Sequence, residues 1–283
     1  QESDIHSIKV WVFKSGTGES ANPIAYKEDR PTADGGGTVN GTYTLNLRFL
    51  RKINGEELEK IDLYILANSE STNMADKLNG KDFRSITRED LQKVTFDDPF
   101  GIKDGKAETT EVPTEGLPIS RAITNIEIAD HVADTEIEAK KNGISIPLVR
   151  AVSKLHFYFA RKAGEEAMTG NVKVTRIEID GNTFPTESYV FPDEEDYTKA
   201  DANKAATSDK YGTPSYDSTL LKLDGVENTG IKEVTDPLTY VRGENETAQA
   251  YMDRMNTAEI GEHNLCYLRE TNKPIKGTIY YQL

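Results

Sequence analysis

Cysteine is almost absent from this chain. One cysteine, Cys266, stands among 283 residues, which excludes an internal disulfide and a zinc site built from several cysteines. Cys266 lies in the apolar, strand-like segment NLCYLRE, where a small buried hydrophobic residue is the simpler interpretation. So little cysteine is compatible with an exported bacterial protein without establishing one.

The chain also lacks a long apolar run and an excess of basic charge. No run approaches the roughly 20 apolar residues of a membrane-spanning helix, and the polar residues that follow Gln1 do not form a signal peptide. The formal net charge is −14, whereas nucleic acid binding needs a concentrated basic face. We therefore expect no nucleic acid partner, and a chain that is either a mature form or a trimmed one.

Recognisable catalytic, cofactor and metal motifs are missing as well. Four histidines are far apart, without a metal-ligand partner at short spacing: His6, His131, His156 and His263. The acidic run 193–196 lacks the alternating ligands of a calcium loop, and the segment 97–108 has Ile102 where such a loop needs glycine. There is no phosphate-binding loop and no G-x-S-x-G elbow. The sequence predicts a structural or binding protein, not an enzyme, with no cofactor and no metal.

Short segments of alternating apolar and polar residues recur along the whole chain. They are typical of β-strands and occupy 6–16, 42–50, 60–71, 135–148, 171–182 and 275–283. In the fourth segment, Asn142-Gly143 predicts the tight turn of a hairpin. In the fifth, the apolar phase shifts between Val174 and Ile177, which predicts a β-bulge.

Helix is predicted in few places, and the overall pattern favours a β-sandwich. Thr87 and Asp90 stand at capping-box spacing before an apolar residue, and 247–261 is a weaker candidate. Many short strands separated by turns are typical of sandwiches. A chain of 283 residues is longer than a single hydrophobic core usually supports. With a polar break before residue 146, the chain is predicted to hold two domains, 1–145 and 146–283.

The segment IPLVRAVSKLHFYFARK, residues 146–162, fits both helical and strand spacing. Strand is favoured because its Phe-Tyr-Phe sequence leans to β structure and its neighbours are strands. Alternate residues from Val149 to Phe159 then share one face. Arg150 and Lys154 fall on the other face, where they need water or an acidic partner, and Glu178 is a candidate partner.

The order of these segments resembles that of the Bacteroidetes fimbrillin superfamily, the subunits of surface fimbriae. The matching segments look like successive strands and strand-leading elements of that family: SIKVWVFKSG, IDLYILANSES, EGLPISRAI, PLVRAVSKLHFYF and NLCYLRETN. Each match is short, but their shared order extends over almost the whole chain. In the family, the fourth of these segments opens the C-terminal domain, and its Arg and Lys correspond to Arg150 and Lys154.

The resemblance implies an all-β fold of two tandem transthyretin-like β-sandwich domains with long loops and one or two short helices. It also implies export as a lipoprotein to the outer membrane and assembly with other fimbrial subunits by β-strand complementation. In that mechanism a strand of the next subunit fills an open groove, and Ile8, Val10 and Val12 are the groove candidates. The lipid-bearing cysteine would precede Gln1. Stalk subunits of the family continue further, so an end at Leu283 fits either a tip or accessory subunit or a trimmed chain.

Two functions of different class are therefore expected. The first is a fimbrial structural subunit, of tip or accessory type, that contributes to adhesion at the cell surface. The alternative is a non-polymerising surface lipoprotein that binds a glycan or another host ligand. Exposed aromatic rings stack on sugars, although tyrosines more commonly pack in turns. The tyrosines in or beside the long polar loop that favour the alternative are Tyr189, Tyr197, Tyr211 and Tyr216.

Overall fold

The protein is mostly β-structure, as the sequence predicts. The computed structural model describes residues 2–31, 43–47, 52–128, 143–162, 173–196, 208, 210–224, 232–234, 241–247, 250–251, 253–254 and 261–282. Within these ranges the α-helices with complete bounds are α1 (Met74–Lys77) and α2 (Arg88–Lys93). The prediction of an all-β fold with one or two short helices is confirmed.

The strands follow one another in chain order. They are β1 (Ile8–Lys14), β2 (Ala25–Asp29), β3 (Lys52–Ile53), β4 (Glu56–Glu57), β5 (Lys60–Ala67), β6 (Thr95–Phe96), β7 (Ile102–Lys103), β8 (Lys106–Ala107), β9 (Ile119–Glu127), β10 (Val149–Arg150), β11 (Val152–Lys162), β12 (Lys173–Ile179), β13 (Ser188–Tyr189), β14 (Glu194–Asp196), β15 (Leu221–Asp224), β16 (Lys232–Val234), β17 (Gly261–Arg269) and β18 (Gly277–Gln282). The pairs β3-β4, β7-β8 and β13-β6 form small two-stranded sheets beside the larger ones.

The main sheet has the strand order β10-β9-β5-β1-β2, and β14 also pairs with β9. β1 lies between β2 and β5 and is antiparallel to both. Its sequence is apolar on both faces because each face packs on an apolar cluster. Trp11 and Phe13 enter the first cluster together with Tyr64 of β5, whereas Val10 and Val12 enter the second. The centre of this sheet is therefore buried on both sides.

Two smaller sheets enclose a third apolar cluster. Their strand orders are β16-β11-β17 and β15-β12-β18. Leu155 of β11 and Leu268 of β17 meet Ile177 of β12 and Leu221 of β15 in this cluster. One face of each sheet thus contributes to a common core, which is the packing of a β-sandwich.

The segment 146–162 forms strands, so the strand interpretation is confirmed. β10 pairs with β9 of the main sheet, whereas β11 pairs with β17. The prediction of one continuous face from Val149 to Phe159 is wrong, because the chain passes between sheets at Ala151. Val152 packs in the first cluster and Leu155 in the third. A register shift follows directly after Leu155.

Local sequence signals located several other elements correctly. β1, β5, β12 and β18 lie where alternation predicts strands, and the β12–β18 register shifts between Val174 and Arg176, as the predicted bulge requires. At α2 the capping box is present: Asp90 N–H donates to Thr87 Oγ1 at 3.2 Å, and Thr87 N–H donates to Asp90 Oδ2 at 3.1 Å. The backbone at 250–251 and 253–254 is helical within the second helix candidate.

Two predicted strands are wrong where the structure describes them. Residues 43–47 and 144–148 have no strand pairing. Their alternating apolar side chains still pack against the second cluster: Tyr43, Leu45, Leu47, Ile144, Ile146 and Leu148. Alternation identified the buried side chains, but the backbone hydrogen bonds depend on a partner strand. Asn142 of the predicted hairpin turn lies outside the described residues.

Candidate functional site

A polar cavity opens at one end of the main sheet. Its volume is about 390 Å³. The lining comes from the turn after β1, from β5, α2, β9 and β14, and from one residue between β14 and β15: Gly16, Thr17, Gly18, Glu19, Asp62, Arg88, Gln92, Thr124, Asn125, Glu194 and Lys210. Every lining residue is polar, charged or glycine, in contrast to the apolar clusters beneath it.

Arg88 is the centre of the cavity's charge network. Its Nη2 lies 2.8 Å from Asp62 Oδ2 and its Nη1 lies 3.1 Å from Glu194 Oε1. The side chains of Arg88 and Asp62 are only 5% and 4% exposed. The guanidinium also lies 4.9 Å from the centroid of the Phe13 ring. Burial of this cation is tolerable because two carboxylates and an aromatic face surround it.

Asp62 is held in place by neighbours on both sides. Its Oδ1 accepts a hydrogen bond from Ser15 Oγ at 2.5 Å and another from the backbone N–H of Asn125 at 2.9 Å. With Arg88 on the other oxygen, all the main directions of the carboxylate are occupied. The sequence signal for this site was a lone Asp inside the apolar strand KIDLYILA, because a buried carboxylate requires partners.

Glu194 joins the network from β14, which is parallel to β9. Its carboxylate accepts hydrogen bonds from the hydroxyl of buried Tyr64 and, at 2.9 Å, from Gln92 Nε2. Burial, and then the negative charge of Asp62, raise the pKa of Glu194 to about 7. The positive charge of Lys210 lowers this pKa, but by less. The Glu194 carboxyl is therefore partly protonated at neutral pH.

Lys210 lines the cavity, and Tyr211, one of the four loop tyrosines, lies beside it. Lys210 pairs with Glu19 and donates a hydrogen bond to Gln92 Oε1 at 3.0 Å. The hydroxyl of Tyr211 lies 3.5 Å from the same oxygen. The Tyr189 hydroxyl donates to the carbonyl of Tyr211 at 3.2 Å. The structure thus brings Tyr189 and Tyr211 together beside a cavity that sequence reasoning did not anticipate.

The other two tyrosines do not complete that surface. Tyr216 donates a hydrogen bond to Asn272 Oδ1 at 2.6 Å, and Lys273 Nζ lies 3.3 Å from the centroid of its ring. Tyr216 is therefore engaged with the loop before β18, and it does not line the cavity. Tyr197 lies outside the described residues.

The groove candidates Ile8, Val10 and Val12 lie in the second apolar cluster. Their exposed fractions are 6%, 2% and 0%, and β2 and β5 pair with the two edges of β1. A partner strand reaches these side chains only after a neighbouring element moves away. Their role in an assembly groove stays a prediction.

β18 is exposed along its whole length. All six of its residues are exposed, and among the described residues it pairs with β12 alone. Ile279 is opposite Ile177, and Tyr281 is opposite Val174. The β12 side chains are buried, but Ile279 is 49% and Tyr281 60% exposed. The third apolar cluster thus ends at β12 and leaves its β18 flank uncovered.

The basic residues Arg150 of β10 and Lys154 of β11 share a partner, but it is not the predicted one. Lys154 Nζ lies 2.7 Å from Glu2 Oε1, and Arg150 donates to the Glu2 carbonyl at 3.3 Å. Tyr267 donates to the same carboxylate at 2.7 Å. Burial alone would raise the pKa of Glu2, but the hydrogen bonds from Lys154 and Tyr267 outweigh it and lower that pKa. Glu178 instead pairs with Arg176, so the predicted pairing is wrong.

The described residues give no support for a metal-binding site or a reactive thiol. Among those residues, no three His, Cys, Asp or Glu side chains are grouped so that they can hold a metal ion. Cys266 is buried in the third cluster, and burial raises the pKa of its thiol to about 12. None of the described helices has the length and apolar character needed to span a membrane.

Comparison with known proteins gives a distant structural likeness. No protein-family model matches the chain, and no curated protein matches it. Among solved structures, it is similar to a protein of Parabacteroides distasonis ATCC 8503 described as a "putative cell adhesion protein". The sequence identity is 16%, the TM-score is 0.35, and the match covers 79% of this chain and 62% of that one.

Proposed function

We propose that this protein is a structural subunit of a bacterial surface fimbria, of tip or accessory type, that contributes to adhesion. It assembles with other subunits by β-strand complementation and reaches the outer membrane through a lipid anchor. The proposal includes no catalytic step. The single observation that supports it most is the uncovered flank of β18.

An added strand fits β18 on two grounds. The edge of β18 away from β12 offers backbone N–H and C=O groups that no described strand uses. Its side chains Ile279 and Tyr281 continue the apolar face of β12 without cover. A strand with alternating apolar residues, laid against this edge, would gain backbone hydrogen bonds and cover both side chains. An exposed apolar edge strand is otherwise an aggregation hazard.

The test is electrophoresis of surface extracts, with and without boiling, probed with an antibody to this chain. Wild type is expected to form a boiling-sensitive multimer or a defined complex with another subunit. Ile279→Lys places a charge on the uncovered face and should remove at least nine tenths of that species. Thr278→Lys, on the opposite face of the same strand, is the matched control and should keep it.

Two outcomes contradict the proposal. One is a single monomeric band from wild type in both lanes. The other is a multimer that survives Ile279→Lys unchanged, because strand addition at β18 cannot then be the assembly contact.

The alternative function is a non-polymerising surface module that binds a glycan or another host ligand. The observation in its favour is the polar cavity with Tyr211 at its rim. Adhesion by a fimbrial subunit and ligand binding by that cavity are compatible, since β18 and the cavity use different residues.

A further inference from the structure

We propose that the polar cavity bounded by Arg88, Asp62, Gln92, Glu194 and Lys210 is a binding site for one neutral sugar ring, the hexose unit of a surface glycan. The inference rests on the proposed adhesive function and names the ligand class through which adhesion takes place.

The size and lining of the cavity favour a small, hydroxyl-rich ligand. A volume of about 390 Å³ lies near the lower end of the range for small-molecule sites. Such sites are usually mostly apolar, whereas here every lining residue is polar, charged or glycine. An apolar ligand would have to desolvate these groups without replacing their hydrogen bonds. A ligand with several hydroxyl groups can replace these hydrogen bonds.

The charge of the lining selects a neutral ligand. Arg88 is balanced by Asp62 and Glu194, and Lys210 is balanced by Glu19. No cation of the lining remains to attract a phosphate or carboxylate. No group of three metal-ligating side chains occurs in the described ranges, which argues against a divalent cation. A neutral ligand with both donors and acceptors is what this arrangement can accept.

Hydrogen-bonding groups of both kinds are fixed around the cavity. The Glu194 carboxylate accepts, the amide of Gln92 does both, and Lys210 donates. Arg88 Nε is buried and has no hydrogen-bond partner among the described residues, although both other guanidinium nitrogens have partners. Because the ion pairs already hold these side chains, binding costs little side-chain entropy.

Tyr211 supplies the apolar surface that a sugar ring also requires. Its ring is partly exposed, and the Nζ atoms of Lys93 and Lys210 lie 5.2 Å and 5.4 Å from the ring centroid. Its hydroxyl is 3.5 Å from Gln92 at the cavity rim. A pyranose ring packs its C–H face on an aromatic side chain and directs its hydroxyls to polar groups.

The experiment measures binding of the methyl glycosides of glucose, galactose and mannose to the intact protein by ligand-observed NMR. Wild type is expected to bind at least one of them with a dissociation constant on the order of 1 mM. Tyr211→Ala and Gln92→Met should each weaken that binding at least tenfold. Tyr216→Ala is the matched control, because this tyrosine lies outside the cavity, and it should bind like wild type. The thermal midpoints of all variants show whether the fold is retained.

The inference is overturned if none of the three glycosides binds, or if Tyr211→Ala and Gln92→Met bind as well as wild type while folded. It is also overturned if Tyr216→Ala loses binding to the same extent. Failure here is separable from failure of the assembly proposal. Gln92→Met should form the same multimers as wild type, and Ile279→Lys should bind the same glycoside as wild type.

Discussion

At the scale of single residues, buried polar side chains determine which segments come together. Asn68 has a left-handed backbone, with φ of 59°, and is fully buried. Its Oδ1 accepts from the N–H of His6 at 2.8 Å, and its Nδ2 donates to the carbonyls of Asp4 at 2.7 Å and Leu117 at 2.8 Å. Gly116 lies so close that a Cβ there would be 2.4 Å from Asn68 Nδ2. One side chain thus joins the N-terminal segment to the loop before β9.

Asn68→Ala should therefore lower the free energy of unfolding by about 3 kcal/mol, since it leaves several buried backbone groups without partners and strains the backbone. Denaturant unfolding measures the change. Asn79→Ala is the matched control, because Asn79 also has a positive φ, 53°, but is exposed. Its expected cost is about 1 kcal/mol. Equal effects of the two substitutions would show that the side-chain bonds of Asn68 contribute nothing.

Glu194 predicts an unusual pH dependence. Its pKa is raised to about 7 in the folded protein, above the value of an unfolded glutamate, so its charge opposes folding above pH 7. That penalty disappears as the pH falls towards 4.5. Relative to Glu194→Gln, the free energy of unfolding of wild type should rise by about 1–2 kcal/mol between pH 8 and pH 5, allowing for partial exposure.

The titratable groups that face Glu194 are Asp62, Tyr64, Arg88 and Lys210, and both proteins retain them. Denaturant unfolding at several pH values gives the comparison. If wild type loses stability relative to Glu194→Gln on acidification, attraction by Arg88 outweighs burial, and the direction of the pKa change is wrong.

At the scale of elements, β14 is one of the strands that the sequence pattern did not reveal. Its acidic sequence carries no strand signal, because strand prediction depends on apolar alternation. In the structure β14 extends the sheet along the β9 edge, beyond the residues that pair with β10. Arg121 of β9, only 3% exposed, lies 2.6 Å from Glu195 Oε2. Such a strand is specified by ion pairs with distant residues, and local sequence cannot show them.

Glu195→Gln removes the carboxylate from a buried arginine and should destabilise the protein by about 2–3 kcal/mol. Hydrogen exchange should also accelerate at 194–196. The control is Glu127→Gln, which breaks the exposed pair with Lys60, where the side chains are 57% and 45% exposed; that change should stay within about 0.5 kcal/mol. Unaltered exchange at β14 in Glu195→Gln would mean that backbone pairing alone holds the strand.

Other elements could be predicted from the sequence because the patterns that specify them lie within a few neighbouring residues. The short apolar runs of β1 and β5 are enough to locate both strands, since both faces of each strand meet apolar clusters. The capping box at α2 involves residues three apart. The cavity was not accessible, because Asp62, Arg88 and Glu194 approach one another only after β5, α2 and β14 have packed. The sequence could show that Asp62 needed a partner, but not which one.

At the scale of the whole molecule, the two halves of the chain interlock. β10 and β14, both beyond residue 146, pair with β9 of the first half. In the other direction, Glu2 binds Lys154 of β11 and Tyr267 of β17. Each half thus supplies parts to the other, whatever the position of the domain boundary, and the division at 145/146 stays a prediction.

Separate fragments 1–145 and 146–283 test this interlocking. Mixed fragments should associate and recover the thermal midpoint that neither has alone, because the β9 edge and the Glu2 contacts are restored only in the complex. Size-exclusion chromatography and thermal unfolding detect this. The fragment 146–283 with Glu195→Gln should associate more weakly. Two fragments that are each as stable as the intact chain and do not associate would contradict the expectation.

The chain also carries a natural optical and chemical reporter in separate cores. Its one tryptophan, Trp11, is fully buried in the first cluster, beside Phe191 and Tyr26, so its emission colour follows the integrity of the main sheet. Its one thiol, Cys266, is buried in the third cluster. The rate at which this thiol is alkylated therefore reports how fast the two smaller sheets open. Fluorescence and thiol labelling of the wild-type protein can therefore measure the opening rates of the two clusters separately. The comparison shows whether the two clusters open together or one after the other.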